Sequence, residues 1–216
     1  MHLTHRLLNW SVRTLTRTVQ LNQINTMKMK TLKVSIFAFA AIVLSSFSNT
    51  AETIEVDTTN SSVKWTGYHL AKAYEHWGNV QIKSGTIEME GDEITGGSIV
   101  MDMTTITDGD LEDPKNAKLV GHLKSDDFFA ADKFPEATLV IKSATKDGIN
   151  YSITADIIIR GISQEIAFDA TKSEDNTFNA TFTIDRTIHE VMYGWTVENA
   201  MLDNDIKLEI ALVLAK

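Results

Sequence analysis

The sequence predicts a mainly β protein, an extended eight-stranded antiparallel β-barrel with one short helix. From Glu52 onward apolar and polar residues alternate with a period of two, which is typical of strands with one buried face. Turn-forming pairs such as Gly91-Asp92 and Asp147-Gly148 separate the alternating runs. A sheet of this size leaves long edges exposed unless it closes into a barrel, and this favours the barrel. A β-sandwich is the alternative fold.

The strands are clearest in the second half of the chain. Between Tyr151 and Ile159 every second residue is apolar, with Ser152, Thr154 and Asp156 between them. The same period predicts eight further strands at residues 53–57, 63–69, 80–84, 85–90, 94–103, 164–170, 178–185 and 206–214. No linker or charge block divides them, so residues 52–216 are predicted to form one domain.

One segment has helical spacing instead. Asp113 is predicted to cap a helix whose first residue is Pro114, with helical spacing through residues 115–125. Such a helix would cover an open end or a seam of the sheet. A second short helical turn is expected around residues 70–75.

Residues 1–51 differ in charge from the rest of the chain. They carry six basic side chains and no acidic one, which leaves 14 basic and 29 acidic groups, a net charge of −15, in residues 52–216. Three of the basic residues, Lys28, Lys30 and Lys33, precede an apolar run at residues 34–44, the pattern of a cleavable signal peptide. We expect cleavage after Ala51 or Ser48, leaving no membrane span, and therefore a periplasmic or secreted protein.

Composition excludes several functions. The chain has no Cys, which removes thiol catalysis and thiolate metal sites. The acidic charge of residues 52–216 disfavours binding to nucleic acid, because phosphate binding requires Lys and Arg. The histidines His69, His76, His122 and His189 lack a metal-ligand spacing, and no nucleophile elbow is present, so we expect no metal, no cofactor and no catalysis.

Several short motifs occur in a characteristic order. The most specific block is Gly121-His122-Leu123-Lys124-Ser125-Asp126-Asp127-Phe128-Phe129, followed by Lys133-Phe134-Pro135-Glu136-Ala137; Val63-Lys64-Trp65-Thr66-Gly67 precedes it and Ile159-Arg160-Gly161-Ile162 follows it. In this order residues 52–216 resemble the YceI-like family of exported polyisoprenoid-binding proteins. The resemblance implies a lipocalin-like barrel whose interior takes an isoprenoid or other long-chain lipid, in the periplasm of a Gram-negative cell.

The candidate ligand site combines inward-facing apolar residues with two polar ones. Arg186 is the candidate for holding a lipid head group, with an ion pair as its structural alternative, and His122 is expected to fasten the helix to the barrel. The full set is Trp65, Leu70, Tyr74, Trp77, Val80, His122, Phe128, Phe129, Ile157, Ile159, Phe182, Ile184, Arg186 and Met192.

The inward face of a strand looks the same in a hollow and in a filled barrel, and only the resemblance favours a cavity. The leading hypothesis is therefore non-enzymatic binding, sequestration or transport of a lipid. An enzyme acting on a barrel-bound lipid, or a ligand-free stress or interaction module, is the alternative. Pairing of two barrels into a homodimer through a strand edge is left open.

Overall fold

The computed structural model describes residues 50–193 and 197–216. The basic and apolar parts of the predicted signal peptide, residues 28–44, lie outside the described part of the chain. Among the described residues, no helix has both the length and the apolar character needed to cross a membrane.

The described residues form a β protein with two helices, α1 (Lys115–Lys124) and the single turn α2 (Val197–Ala200). Single turns of 3-10 helix lie at Leu70–Lys72, Met103–Thr105 and Arg186–His189. The strands are β1 (Glu52–Glu55), β2 (Ser62–His69), β3 (Glu75–Glu90), β4 (Glu93–Asp102), β5 (Glu136–Asp147), β6 (Asn150–Ile159), β7 (Ile162–Lys172), β8 (Thr177–Asp185) and β9 (Leu202–Val213).

Strand β3 closes the sheet into a barrel. It spans 16 residues and pairs with β4 through Gln81–Glu90, while its other pairings are with β2 near its start and with β1 near its end. The strand order β3-β2-β9-β8-β7-β6-β5-β4 therefore returns to β3, with every pairing antiparallel. The predicted eight-stranded barrel is confirmed, and the β-sandwich is not the fold.

Two strands differ from the predicted ones. The segments predicted separately at 80–84 and 85–90 belong to the single strand β3, whose register shifts between Ile82 and Ser84 instead of breaking at Gly85. Strand β5 was missed although Ala137, Leu139 and Ile141 are buried in alternation. Its consecutive apolar residues Leu139, Val140 and Ile141 hide the period of two, because β5 buries Val140 partly on its other face.

Helix α1 begins one residue later than predicted. Pro114 occupies the N-cap position with no side-chain hydrogen bond, so Asp113 does not cap the helix. The Asp113-Pro114 peptide bond is cis. Leu123 is buried in the core and Leu119 packs against it, which places α1 against one end of the barrel as expected.

Candidate functional site

Three adjoining apolar cavities occupy the barrel. The inner and middle cavities each measure about 50 Å³ and share Val63, Met101, Ile157 and Leu208 in their linings. The mouth cavity measures about 80 Å³ and shares Trp65, Phe129 and Ile206 with the middle one. Because neighbouring cavities share lining residues, the three cavities line up as one apolar path that these shared side chains divide.

The inner end of this path is sealed by aromatic packing. Tyr151 is fully buried, and its hydroxyl donates a hydrogen bond of 2.8 Å to the carbonyl of Asp92 in the β3–β4 turn. Its ring meets Phe178, which lines the inner cavity, edge to face with centroids 5.3 Å apart. Tyr151 therefore satisfies its one polar atom while closing the apolar interior.

The barrel wall is weakest between β7 and β8. These strands pair only through Ala170, Thr171 and Lys172, opposite Ala180, Asn179 and Phe178. The inward side chains of Ile166 and Phe168 are correspondingly only half-buried, although Phe168 stacks on Phe182 with ring centroids 4.3 Å apart. Phe168 and Phe182 both line the inner cavity, so this gap lies beside the apolar interior.

Most of the predicted ligand-site residues line these cavities. Leu119 and Leu123 of α1 line the mouth cavity, so the helix covers the mouth. The predicted residues that line a cavity are Trp65, Val80, Phe128, Phe129, Ile157, Ile159, Phe182, Ile184 and Arg186. The prediction missed wall residues of β9 such as Ile206 and Leu208, although the period of two in residues 206–214 already placed them on one face.

Five predicted residues do not line these cavities: Leu70, Tyr74, Trp77, His122 and Met192. Leu70 and Tyr74 are 60% and 51% exposed, because they lie in the connection between β2 and β3 beyond the barrel wall. Trp77 faces outward, since its neighbour Gly78 occupies the inward position opposite Trp65. Its ring lies 4.7 Å from the ammonium of Lys64 on the outer surface. Met192 is half-buried but lies outside the linings of these three cavities.

Arg186 lies under the mouth cavity but its hydrogen bonds are directed into the protein. It is 3% exposed, and its Nε donates to the carbonyl of Asp203 at 2.9 Å. Nη1 donates to the carbonyl of Val191 at 2.8 Å and to Oδ1 of Asn199 at 2.9 Å. Nη2 reaches the carbonyls of Asn199 and Leu202 at 3.4 Å each. The guanidinium therefore links the segment that follows β8 to the segment that precedes β9. These contacts match neither of the two predicted roles, which were head-group binding and an ion pair.

His122 fastens α1 by ring packing rather than by a hydrogen bond. Its ring lies 4.2 Å from that of Tyr193 and 5.3 Å from that of Phe128. Within the part of the chain that the structure describes, its Nε2 is buried without a hydrogen-bond partner. Burial lowers the pKa of His122, with a smaller opposing effect from Asp127, and keeps the ring neutral.

Polar groups that could hold a metal ion lie together beside the mouth. Within the described residues, His76, Asp108 and Asp110 each offer a ligand atom, and these atoms lie within 4.8 Å of one another. His76 also lines the mouth cavity. Spacing along the chain missed this group because its members lie on β3 and on the loop that precedes α1.

Fold and site together define a closed antiparallel barrel with an apolar interior and a helix across its mouth. The YceI-like domain model matches residues 54–214, and the chain belongs to the YceI-like family. A UPF0312 protein of Staphylococcus aureus strain USA300 is 30% identical over 135 residues, covering 57% of this chain and 75% of the relative. A UPF0312 protein of Pectobacterium atrosepticum is 28% identical over 105 residues, covering 46% of this chain and only 55% of the relative.

Solved structures share the fold. Burkholderia cenocepacia BcnA aligns with a TM-score of 0.59 at 18% identity, over 74% of this chain and 99% of BcnA. A polyisoprenoid-binding domain from Saccharophagus degradans aligns with a TM-score of 0.52 at 10% identity, over 76% of this chain and 97% of that domain.

Proposed function

We propose that this protein binds a long-chain apolar lipid of the isoprenoid type inside its barrel, without catalysis. The observation that carries the proposal is the apolar path that runs from Tyr151 at the sealed end to Phe128 at the mouth. The Saccharophagus degradans domain, which shares the fold, is a polyisoprenoid-binding domain. The charge asymmetry and the predicted signal peptide support export to the periplasm, where an aqueous compartment would require a carrier for such a lipid.

The driving force would be transfer of apolar surface out of water. Each buried CH₂ contributes about 0.8 kcal/mol, so one five-carbon isoprene unit contributes roughly 3 to 4 kcal/mol before the costs of association. The separate cavities of about 50 to 80 Å³ require side chains such as Phe129 and Ile157 to move apart as a chain enters. The short β7–β8 pairing is where the wall can widen with the fewest broken hydrogen bonds.

Chain length therefore tests the mechanism. We expect geranylgeraniol to bind at least tenfold more tightly than farnesol, which is one isoprene unit shorter, as measured by tryptophan fluorescence and native mass spectrometry. Protein purified from cells should also carry an extractable apolar compound. A well-folded protein that is consistently empty and ignores both alcohols would favour the ligand-free interaction module instead.

A cavity-filling variant separates interior binding from surface adsorption. Ala180 lines the inner cavity, so Ala180→Phe should abolish or strongly weaken binding of geranylgeraniol. Ala167 faces outward from β7 and is exposed, so Ala167→Phe is the matched control and should bind as the wild type does. Equal binding by both variants would contradict the proposed site.

Export is tested independently of binding. The full chain expressed in a Gram-negative host should be recovered from the periplasm with an N-terminus at Glu52 or Asn49. Recovery in the cytoplasm with residues 1–51 intact would contradict the proposed location.

A further inference from the structure

The loop between β4 and α1 holds two aspartates beside the first residues of β3. Its backbone is fixed against β3 by hydrogen bonds from the Thr107 N–H to the Asn79 carbonyl, at 2.9 Å, and from the Gly109 N–H to the Trp77 carbonyl, at 2.7 Å. This attachment brings Asp108 and Asp110 next to His76. The three side chains place one ligand atom each within 4.8 Å of one another.

Each of the three side chains is held in place by neighbouring groups. Nδ1 of His76 lies 2.8 Å from Oδ2 of Asp110, and Oδ1 of Asp110 accepts from the Trp77 N–H at 2.9 Å. Oδ2 of Asp108 accepts from the Leu111 N–H at 2.9 Å and from Nδ2 of Asn116 at 3.1 Å. The group is therefore positioned before any ligand arrives.

One oxygen of Asp108 has no partner among the described residues. Asp108 is only 8% exposed, and its Oδ1 is buried without a hydrogen bond from residues 50–193 or 197–216. A buried carboxylate oxygen without a donor is costly, and the neighbouring carboxylate of Asp110 adds repulsion between like charges. A cation between the two carboxylates would remove both penalties.

The donor set favours one class of cation. Ca²⁺ and Mg²⁺ prefer sites made entirely of oxygen, whereas imidazole with two carboxylates suits Zn²⁺ and related divalent transition metals. Zn²⁺ ligands at about 2.0 to 2.2 Å stand roughly 3.4 Å apart in a tetrahedron, so donor atoms within 4.8 Å need only small side-chain movements. The side chains of His76 and Asp110 are 29% and 23% exposed, which gives an ion a path from solvent.

We propose that His76, Asp108 and Asp110 form a binding site for a divalent transition-metal ion such as Zn²⁺, with one coordination position left open. The ion would sit at the rim of the mouth cavity, because His76 also lines that cavity. It would also fasten the loop to α1, since Asn116 of α1 donates to both the carbonyl and Oδ2 of Asp108.

Calorimetry with ZnCl₂ on the chelator-treated full chain tests the site. We expect one Zn²⁺ ion per chain with a dissociation constant of micromolar or below, and a rise in the unfolding midpoint with Zn²⁺ concentration. Asp108→Asn, Asp110→Asn and His76→Gln should each weaken binding at least tenfold. The matched control is His69→Gln, which removes a nearby histidine outside the group and should leave binding unchanged.

Co²⁺ absorption and circular dichroism without metal distinguish loss of the metal site from loss of the fold. Co²⁺ bound to the wild type should give the visible absorption of a low-symmetry site, and Asp108→Asn should abolish it. Circular dichroism of each variant without metal checks that it folds. The proposal is overturned if the wild type binds no Zn²⁺ below 100 µM, or if the variants bind as tightly as the wild type. It is equally overturned if Asp108→Asn raises stability in the absence of metal and keeps the Zn²⁺ affinity of the wild type. A proton shared between Asp108 and Asp110 would then explain why the two carboxylates lie together.

Discussion

Replacing Arg186 distinguishes a structural guanidinium from a head-group ligand. The side chain is 3% exposed and makes five hydrogen bonds, four to backbone carbonyls and one to the amide oxygen of Asn199. Lysine has three donors on one atom and cannot reproduce the planar fork, so Arg186→Lys leaves about two buried acceptors unpaired. At roughly 1 to 3 kcal/mol for each acceptor, we expect a loss of about 2 to 6 kcal/mol in the free energy of unfolding.

Urea unfolding followed by circular dichroism measures this loss. With an m-value of about 2 kcal/mol per molar urea, the midpoint should fall by roughly 1 to 3 M. The control is Lys133→Met, which removes the ion pair between Lys133 and Asp126. These two side chains are 64% and 66% exposed, so the substitution should change the free energy of unfolding by less than about 1 kcal/mol.

Ligand preference provides the second readout for Arg186. A structural role predicts that Arg186→Lys, where still folded, keeps the wild-type ratio of affinities for farnesyl diphosphate and farnesol. An unchanged urea midpoint together with a lost preference for the diphosphate would refute the structural role and restore the head-group hypothesis.

Three further predictions concern acid stability, close packing and the exposed connection. Burial lowers the pKa of His189, although its bond to the Ile162 carbonyl acts in the opposite direction, so the unfolded chain takes up a proton before the folded one does. Stability should therefore be full above pH 6.5 and fall below it, by up to about 1.4 kcal/mol per pH unit, and urea midpoints of His189→Gln should depend less on pH in that range; an equal slope would contradict this. A Cβ on Gly78 would overlap the carbonyl of Thr107, so Gly78→Ala should lower the free energy of unfolding by about 3 kcal/mol. A Cβ on Gly121 of α1 meets nothing within 4 Å, so Gly121→Ala should raise it by up to about 1 kcal/mol. Thermal unfolding of the two variants checks both signs. Leu70→Ser, at a side chain 60% exposed, should leave geranylgeraniol affinity within twofold of the wild type, and a larger loss would return Leu70 to the ligand site.

Local pattern predicted much of the barrel wall. Alternation placed Ile153, Ala155 and Ile157 on one face, and all three are buried inside the barrel. The prediction failed for Trp77, which was assigned to the ligand site because it is an aromatic residue near the mouth. Gly78 pairs with Trp65 and takes the inward position, so the adjacent Trp77 faces outward. Strand β5 was missed because its apolar residues are consecutive, so no alternation was visible.

What the sequence determined by itself was the β class, the helix α1 and the inward face of the clearest strands, since these depend on a period of two or on local helical spacing. Only the tertiary structure decided how the barrel closes through β3, and that β7 and β8 pair over just three residues. It alone decided the partners of Arg186 and the meeting of His76 with Asp108 and Asp110. These contacts join residues far apart in the chain, and their geometry follows from strand register and loop attachment, which no local pattern encodes.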